Sequence, residues 1–422
     1  MGTDMNDLPP GITIDILSRL PVRTIMNSIC VCRSWRDLVK SPYFASLHSR
    51  QAALSPARLP AFKDLRFSRA YSFLGFIGDN ELILKPPKGS VLSHHFPNPN
   101  KPFIHSSLNG LLFMIDMDSL FEVFVCNPIT REYVRIDMGR KCEMGRDMGR
   151  KCKSKDYSFG FGMSKSGRYK IVRIFAHVSF PITCQVHTLG MKHWKSITID
   201  SQLELFYQMD VPYFMNGNLH WLTCTYADKS NPPRVYCIDL ETELFNYFSC
   251  PPSIQHCQRS YYYALSVLGG CLSLSNDDFD NKVEIWCMKE YGDDKSWTKD
   301  YVIKRKPRML KLPDIFYCLF QGRIRYNIHD VVLDVETIEG FVERQNLFHD
   351  TLYPVKAFED GGVLLALERS SRLFYYSNVT KAIQEIKKER NHNSSNIVIH
   401  SPSLVSLKSL VMENMRVEYI AY

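Results

Sequence analysis

The chain is 422 residues long, 45% hydrophobic, and carries a formal net charge of +8 from 52 basic and 44 acidic side chains. That length predicts two or three domains with ample apolar material for a core. The charge excess is too mild to argue for nucleic acid, and without a run of 18 apolar residues the sequence argues against a membrane-spanning helix.

From the N-terminus, the first elements read as helices. At 100° per residue, Ile12, Ile16, Leu17 and Leu20 spread over one broad face, and Pro21 stops the segment. Val22, Ile25, Met26 and Ile29 form a narrower stripe on a second helix. Trp35, Leu38 and Val39 follow at i, i+3, i+4 on a third. Ser41-Pro42 predicts a restart, with Ser41 as N-cap, Pro42 at the first helical position, and Phe44 and Leu47 facing inward. So short a unit cannot bury this many apolar side chains within itself, so it predicts a partner.

Leu8-Pro9, Ile16-Leu17-Ser18-Arg19-Leu20-Pro21, Val31-Cys32-Arg33-Ser34-Trp35-Arg36-Asp37-Leu38-Val39 and Ser41-Pro42-Tyr43-Phe44 resemble the F-box. The resemblance covers residues 5–50; Asn27-Ser28-Ile29 departs from the basic and aromatic residues that many relatives carry there. It implies docking on the Skp adaptor of a cullin-RING (SCF) ubiquitin ligase through Leu8, Pro9, Ile16, Leu17, Leu20, Pro21, Val31, Cys32 and Trp35. On that expectation Leu20→Asp removes adaptor binding.

Residues 51–100 read as a connector with first strands. Beyond them the periodicity becomes short apolar runs separated by Asn-Gly, Gly-Gly and Asp-Gly turns. A loose repeat starts at Asn109, Asn216, Gly269 and Asp360, with further units at Phe159-Gly-Phe-Gly162 and from Gly322 to Phe341. The gaps approach one or two multiples of about 50 residues, the period of kelch-like blades. The expected fold is therefore a small all-α unit followed by an all-β, kelch-like β-propeller of six or seven blades over residues 101–422. Unrelated β-sandwich strands are the competing reading.

Ser107-Leu-Asn109-Gly110-Leu-Leu, Cys126-Asn-Pro128-Ile-Thr-Arg131-Glu132, Phe159-Gly-Phe-Gly162, Asn216-Gly217-Asn-Leu-His220-Trp221 and Glu284-Ile-Trp286-Cys-Met288 resemble the plant F-box-associated domain. In that family the β domain captures a protein target, so the resemblance implies a receptor subunit that does no chemistry itself. Its partners would be the Skp-type adaptor, through it cullin and RING subunits, and an unidentified protein substrate.

Chemistry-bearing motifs are sparse. His94-His95, His187 with His193, and Cys250 with Cys257 lack zinc-ligand spacing, and no H-E-x-x-H, G-x-S-x-G or P-loop pattern occurs. Neither a metal nor a cofactor is expected, and Trp194, Trp221, Trp286 and Trp297 read as core. Thirteen cysteines without a C-x-x-C pair predict reduced thiols in cytoplasm or nucleus, in keeping with the expectation of no secretory signal. The duplicated Asp137-Met-Gly-Arg-Lys-Cys142 and Asp147-Met-Gly-Arg-Lys-Cys152, like Lys387 to Ser395, read as solvated loops. A ligase-independent binding protein and a propeller enzyme are the alternative functions.

Overall fold

Proline and serine placement sets the boundaries of the N-terminal helices. Helix α1 (Pro10–Ser18) begins with a proline at its first position, where the missing N–H has no intrahelical partner to lose. Pro21 then caps α2 (Val22–Ser28), and Cys32 in an extended conformation starts α3 (Arg33–Val39). In α4 (Pro42–Leu54) the Ser41 hydroxyl accepts the Phe44 N–H at 3.2 Å, as the sequence predicts. The computed structural model describes residues 8–54, 59–63, 72–78, 81–85, 103–116, 122–138, 157–177, 180–199, 212–223, 233–255, 263–278, 282–304, 352–367, 372–386, 397–400, 403–411 and 415–419. Among them, no helix is long and apolar enough to cross a membrane.

The rest is antiparallel β. The chain divides into two compact units, one of residues 1–228, 234–247 and 386–422, the other of residues 229–233 and 248–385. In the first unit come β1 (Leu59–Lys63), β2 (Ser72–Gly78) and β3 (Glu81–Lys85), then β4 (Phe103–Leu108), β5 (Leu111–Ile115), β6 (Glu122–Asn127) and β7 (Glu132–Asp137). Next are β8 (Tyr157–Met163), β9 (Tyr169–His177), β10 (Phe180–Thr188) and β11 (Lys195–Ile197), followed by β12 (Tyr213–Met215), β13 (Asn218–Thr223), β14 (Arg234–Asp239) and β15 (Phe245–Ser249), whose last two residues belong to the second unit. The second unit holds α5 (Pro252–Gln255), β16 (Tyr263–Leu268), β17 (Cys271–Asp278), β18 (Lys282–Met288) and β19 (Trp297–Lys304), then β20 (Leu352–Ala357), β21 (Val363–Leu367), β22 (Leu373–Tyr376) and β23 (Ile383–Glu385). Strands β24 (Ile397–Ile399) and β25 (Val417–Tyr419) return to the first unit.

Each group of four consecutive strands from β4 to β23 is one meandering sheet, and β25 adds a fifth strand beside β7. Strand β24 pairs with β1 in a further sheet, ordered β24-β1-β2-β3. Residues beyond 102 thus form five blade-like sheets among the described residues, where six or seven blades were expected. The expected unit starts at Asn109, Phe159, Asn216, Gly269 and Asp360 each fall in a different one of these sheets. The unit expected from Gly322 to Phe341 lies outside the described residues, as do His94, His95, Cys257, residues 139–152 of the duplication, and residues 387–395.

Three blade turns share one cause. Asn109-Gly110, Asn216-Gly217 and Gly269-Gly270 each join paired strands with both central residues at positive φ, from 50° to 81°. Two-residue hairpins of this hand match the strand twist and require asparagine or glycine. The middle strands are then covered on both faces. In β5, Leu111, Phe113 and Ile115 join one buried cluster, while Leu112 and Met114 join another with Phe124, Cys126 and Tyr133. The Phe159-Gly-Phe-Gly162 motif is explained by close packing: a Cβ on Gly160 would lie 2.7 Å from Leu219 Cδ1, and one on Gly162 2.4 Å from Leu240 Cδ1. In the second unit, Val283, Ile285, Ile303, Val363 and Leu365 form the core between its two sheets.

Candidate adaptor-binding surface

The four helices close around Leu17, Ile25, Val39, Phe44 and Ala45, with Leu20, Met26, Ile29, Trp35 and Leu38 packed at the margin. Two side chains from the β part complete this cluster, Leu404 and Ile129. His48 stacks on Phe44 and hydrogen-bonds the Leu20 carbonyl through Nε2 at 3.3 Å, which ties the end of α1 to α4. Burial holds its pKa below the usual histidine value, with the Leu20 carbonyl opposing that shift. The Ser28 hydroxyl donates to the Ile25 carbonyl, and Arg36 Nε reaches the Ile29 carbonyl at 3.3 Å, linking α3 to α2. On the outer side of α1, Arg19 pairs with Asp15 at 2.8 Å, an exposed i,i+4 bridge of small energetic weight.

What the helices do not bury defines the surface. Ile12 is 49% exposed, Ile16 41%, Val31 64% and Tyr43 65%. Ile12 and Ile16 lie one turn apart on α1, so they form a ridge about 100–140° away from Leu17. Among the sequence-predicted residues, Pro9, Ile16, Pro21 and Val31 are exposed, while Leu8, Leu20, Cys32 and Trp35 are half-buried. Leu17 is 1% exposed and belongs to the core, in the cluster with Ile25, Val39, Phe44 and Ala45, where α1 packs on α4. Ile12 and Tyr43 were not in the predicted contact set. Ile12 shares the Ile16 ridge, and Tyr43 sits at the second position of α4, one residue before the buried Phe44. Cys32 hydrogen-bonds Ser34 at 3.1 Å; this contact and the Trp35 N–H lower its thiol pKa.

In the β part, the polar groups that drew attention in the sequence serve packing. Trp221 is buried and donates from Nε1 to Ser158 Oγ at 2.9 Å; Trp297 is buried and donates to the Ser249 carbonyl. Trp194 and Trp286 are half-buried, with Arg173 over the first ring and Lys299 over the second at 4.9 Å. His187 lies against Trp194, and burial pushes its pKa down to about 4. Glu243 bridges Lys170, at 2.8 Å, and Lys195, and both lysine and glutamate of the first pair are nearly buried. Sequence reasoning missed that pair, whose members lie 73 residues apart.

A four-helix module with an uncovered apolar ridge, followed by repeated four-stranded sheets, defines an F-box joined to a propeller. Residues 5–46 match the F-box-like family, and residues 89–407 match the F-box associated beta propeller domain family. The chain belongs to the latter family. Among its relatives in Arabidopsis thaliana, the F-box protein CPR1 is 25% identical over 328 residues, 73% of this chain and 75% of that protein. The F-box/kelch-repeat protein At3g23880 is 24% identical over 314 residues, 70% of this chain and 79% of its own length. A chain from the crystal structure of a nidogen/laminin complex aligns over 82% of this chain and 99% of its own, with 10% identity and a TM-score of 0.42.

Proposed function

We propose that this chain is the substrate-recognition subunit of an SCF ubiquitin ligase, with the F-box helices docked on a Skp-type adaptor and the propeller holding a target protein. The observation that carries this reading is the exposure of Ile12 and Ile16 on α1, Val31 in the turn between α2 and α3, and Tyr43 on α4, beside a closed helical core. Ile12 and Ile16 are neighbours one turn apart on α1, and a contiguous apolar patch is the kind of surface a protein partner covers. Each is worth about 1.5–3 kcal/mol on full burial, so a few together anchor an adaptor.

In this reading the chain performs no chemistry. It holds the target near a ubiquitin-loaded enzyme on the cullin, which raises the effective concentration of the target's lysines. It acts in cytoplasm or nucleus, where its thiols stay reduced. The test is co-expression of the full chain with a Skp-type adaptor and cullin, with purification through a tag on the chain. Recovery of both supports the receptor role. Recovery of adaptor without cullin moves the chain to a ligase-independent binding protein, and recovery of neither refutes docking through these helices.

A further inference from the structure

Residues 403–411 form a strap that runs from the F-box core to the blade β4–β7. Its first contact is at the β4–β5 turn, where Ser403 Oγ donates to the Asn109 carbonyl at 2.8 Å. A Cβ on Gly110 would lie 2.1 Å from that same Ser403 Oγ, so the strap lies directly on the glycine. Further along, Glu132 accepts the Leu407 N–H at 2.6 Å and the Ser406 hydroxyl at 2.9 Å. Leu404 and Leu407 then point to different cores: Leu404 fills the helical cluster, and Leu407 fills the blade cluster with Leu111, Phe113 and Val125.

Asn127, 0% exposed, links the two sides. Its Nδ2 donates to the Ser403 carbonyl at 3.0 Å and the Val405 carbonyl at 2.7 Å, the carbonyls of the residues on either side of Leu404. Its Oδ1 accepts the N–H groups of Ile129 at 2.8 Å and Thr130 at 3.4 Å, which shapes the turn that presents Ile129. One amide side chain therefore uses its full hydrogen-bonding capacity to aim both β-part residues that enter the helical core.

We infer that Asn127, Glu132 and Leu404 are positioning residues of a latch that fixes the adaptor-binding helices against the blade β4–β7. This rests on the receptor reading for its purpose: a set angle between adaptor and propeller holds a captured target at one distance from the ubiquitin-loaded enzyme. The latch itself is a property of the free chain. A buried amide with four satisfied hydrogen bonds in a low-dielectric site has one good arrangement, so its loss releases the joint rather than shifting it.

The test compares wild-type full chain with Asn127→Ala, Leu404→Ser and Leu404→Met by small-angle X-ray scattering, alone and with the Skp-type adaptor, alongside the adaptor Kd by calorimetry. The expected result is a larger, more flexible particle than wild type for Asn127→Ala and Leu404→Ser, with adaptor affinity falling no further than the loss of α1–α4 amide protection accounts for. Leu404→Met, which refills the site, restores the wild-type profile. Circular dichroism checks that the sheets persist; if Asn127→Ala unfolds them, Leu404→Ser alone decides. Scattering profiles that superpose for wild type and Leu404→Ser overturn the latch. Loss of adaptor binding by wild type itself, with the free-chain difference intact, overturns the receptor reading and leaves the latch standing.

Discussion

Adjacent residues on α1 should have opposite effects when mutated. Ile16 is 41% exposed and Leu17 1%, so Ile16→Asp strikes the outer surface and Leu17→Ala the core. Covering the exposed part of Ile16 is worth about 1 kcal/mol, taken as that fraction of about 1.5–3 kcal/mol for complete burial. An unpaired carboxylate driven into the same contact adds at least about 2 kcal/mol. Together they predict a loss of about 100-fold in adaptor affinity, with the helices as stable as before. Leu17→Ala opens a cavity among Ile25, Val39, Phe44 and Leu404 and should cost about 2–5 kcal/mol. With two units, global unfolding is not a single transition, so local stability is read from hydrogen exchange of the α1–α4 amides. Leu17→Ala should accelerate that exchange about 30-fold or more, and Ile16→Asp should leave it unchanged. Wild-type affinity in Ile16→Asp would remove the α1 ridge from the interface. Weakened binding by Leu17→Ala with unchanged exchange would show that the adaptor reaches the residue found in the core. Leu20→Asp is the poorer probe, because Leu20 packs at the margin of the same core and its loss confounds folding with docking.

Gly110→Ala should lower thermal stability well beyond Gly167→Ala: both have positive φ, 81° and 84°, but only the first meets a neighbour, Ser403, so the second should cost about 1 kcal/mol and the first more. Burial raises the Glu243 carboxyl, but Lys170 and Lys195 more than offset this and hold it below its ordinary range. Its stabilisation is present above the unfolded carboxylate value and is lost as pH falls through the lower folded value. Glu243→Gln, which leaves the nearly buried Lys170 without its carboxylate, should destabilise at pH 7 and flatten the acid limb of the first unit's stability in urea. Burial pushes His220 down to about 4, against a smaller upward pull from the Tyr213 carbonyl, so it is neutral in the fold. The His220 share of stability, present above pH 6.5, should fall by about 3 kcal/mol as pH drops to 4, and His220→Gln should make the acid slope shallower by that share in the same urea curves, the remainder coming from other buried histidines such as His187.

Features set by local chain stereochemistry were legible in the sequence. Ser41 as a cap, Pro21 as a stop, and the Asn-Gly and Gly-Gly hairpins all follow from the backbone demands of one or two residues. The split of α1 into outer ridge and core was not, since apolar side chains at Ile12, Ile14, Ile16, Leu17 and Leu20 cover most of its circumference and leave only the narrow Asp15–Arg19 face polar. Asn127 was readable as a turn residue but not as a clamp, because its partners Ser403 and Val405 lie 276 and 278 residues away. The Lys170–Glu243 pair was hidden for the same reason. Turn residues marked the five blade-like sheets among the described residues, but a turn motif does not show how many sheets the chain pairs in all, since pairing depends on partners distant in sequence.

The same distance argument bears on how the helical module can be handled. Its core includes Leu404 and Ile129, neither of which lies within the first 54 residues. A fragment ending at Leu54 would expose Phe44, Leu17 and Ala45 where Leu404 and Ile129 now contribute cover, and so small a unit has little stability to spare. Excised helices should then show faster amide exchange than the full chain and bind the adaptor more weakly by the fraction unfolded, with the intrinsic contact at Ile16 unchanged. Addition of saturating adaptor should restore their exchange protection, since binding selects the folded form. Equal protection of fragment and full chain without adaptor would mean that Leu404 and Ile129 add nothing to the helical core, and the strap would then secure only the blade.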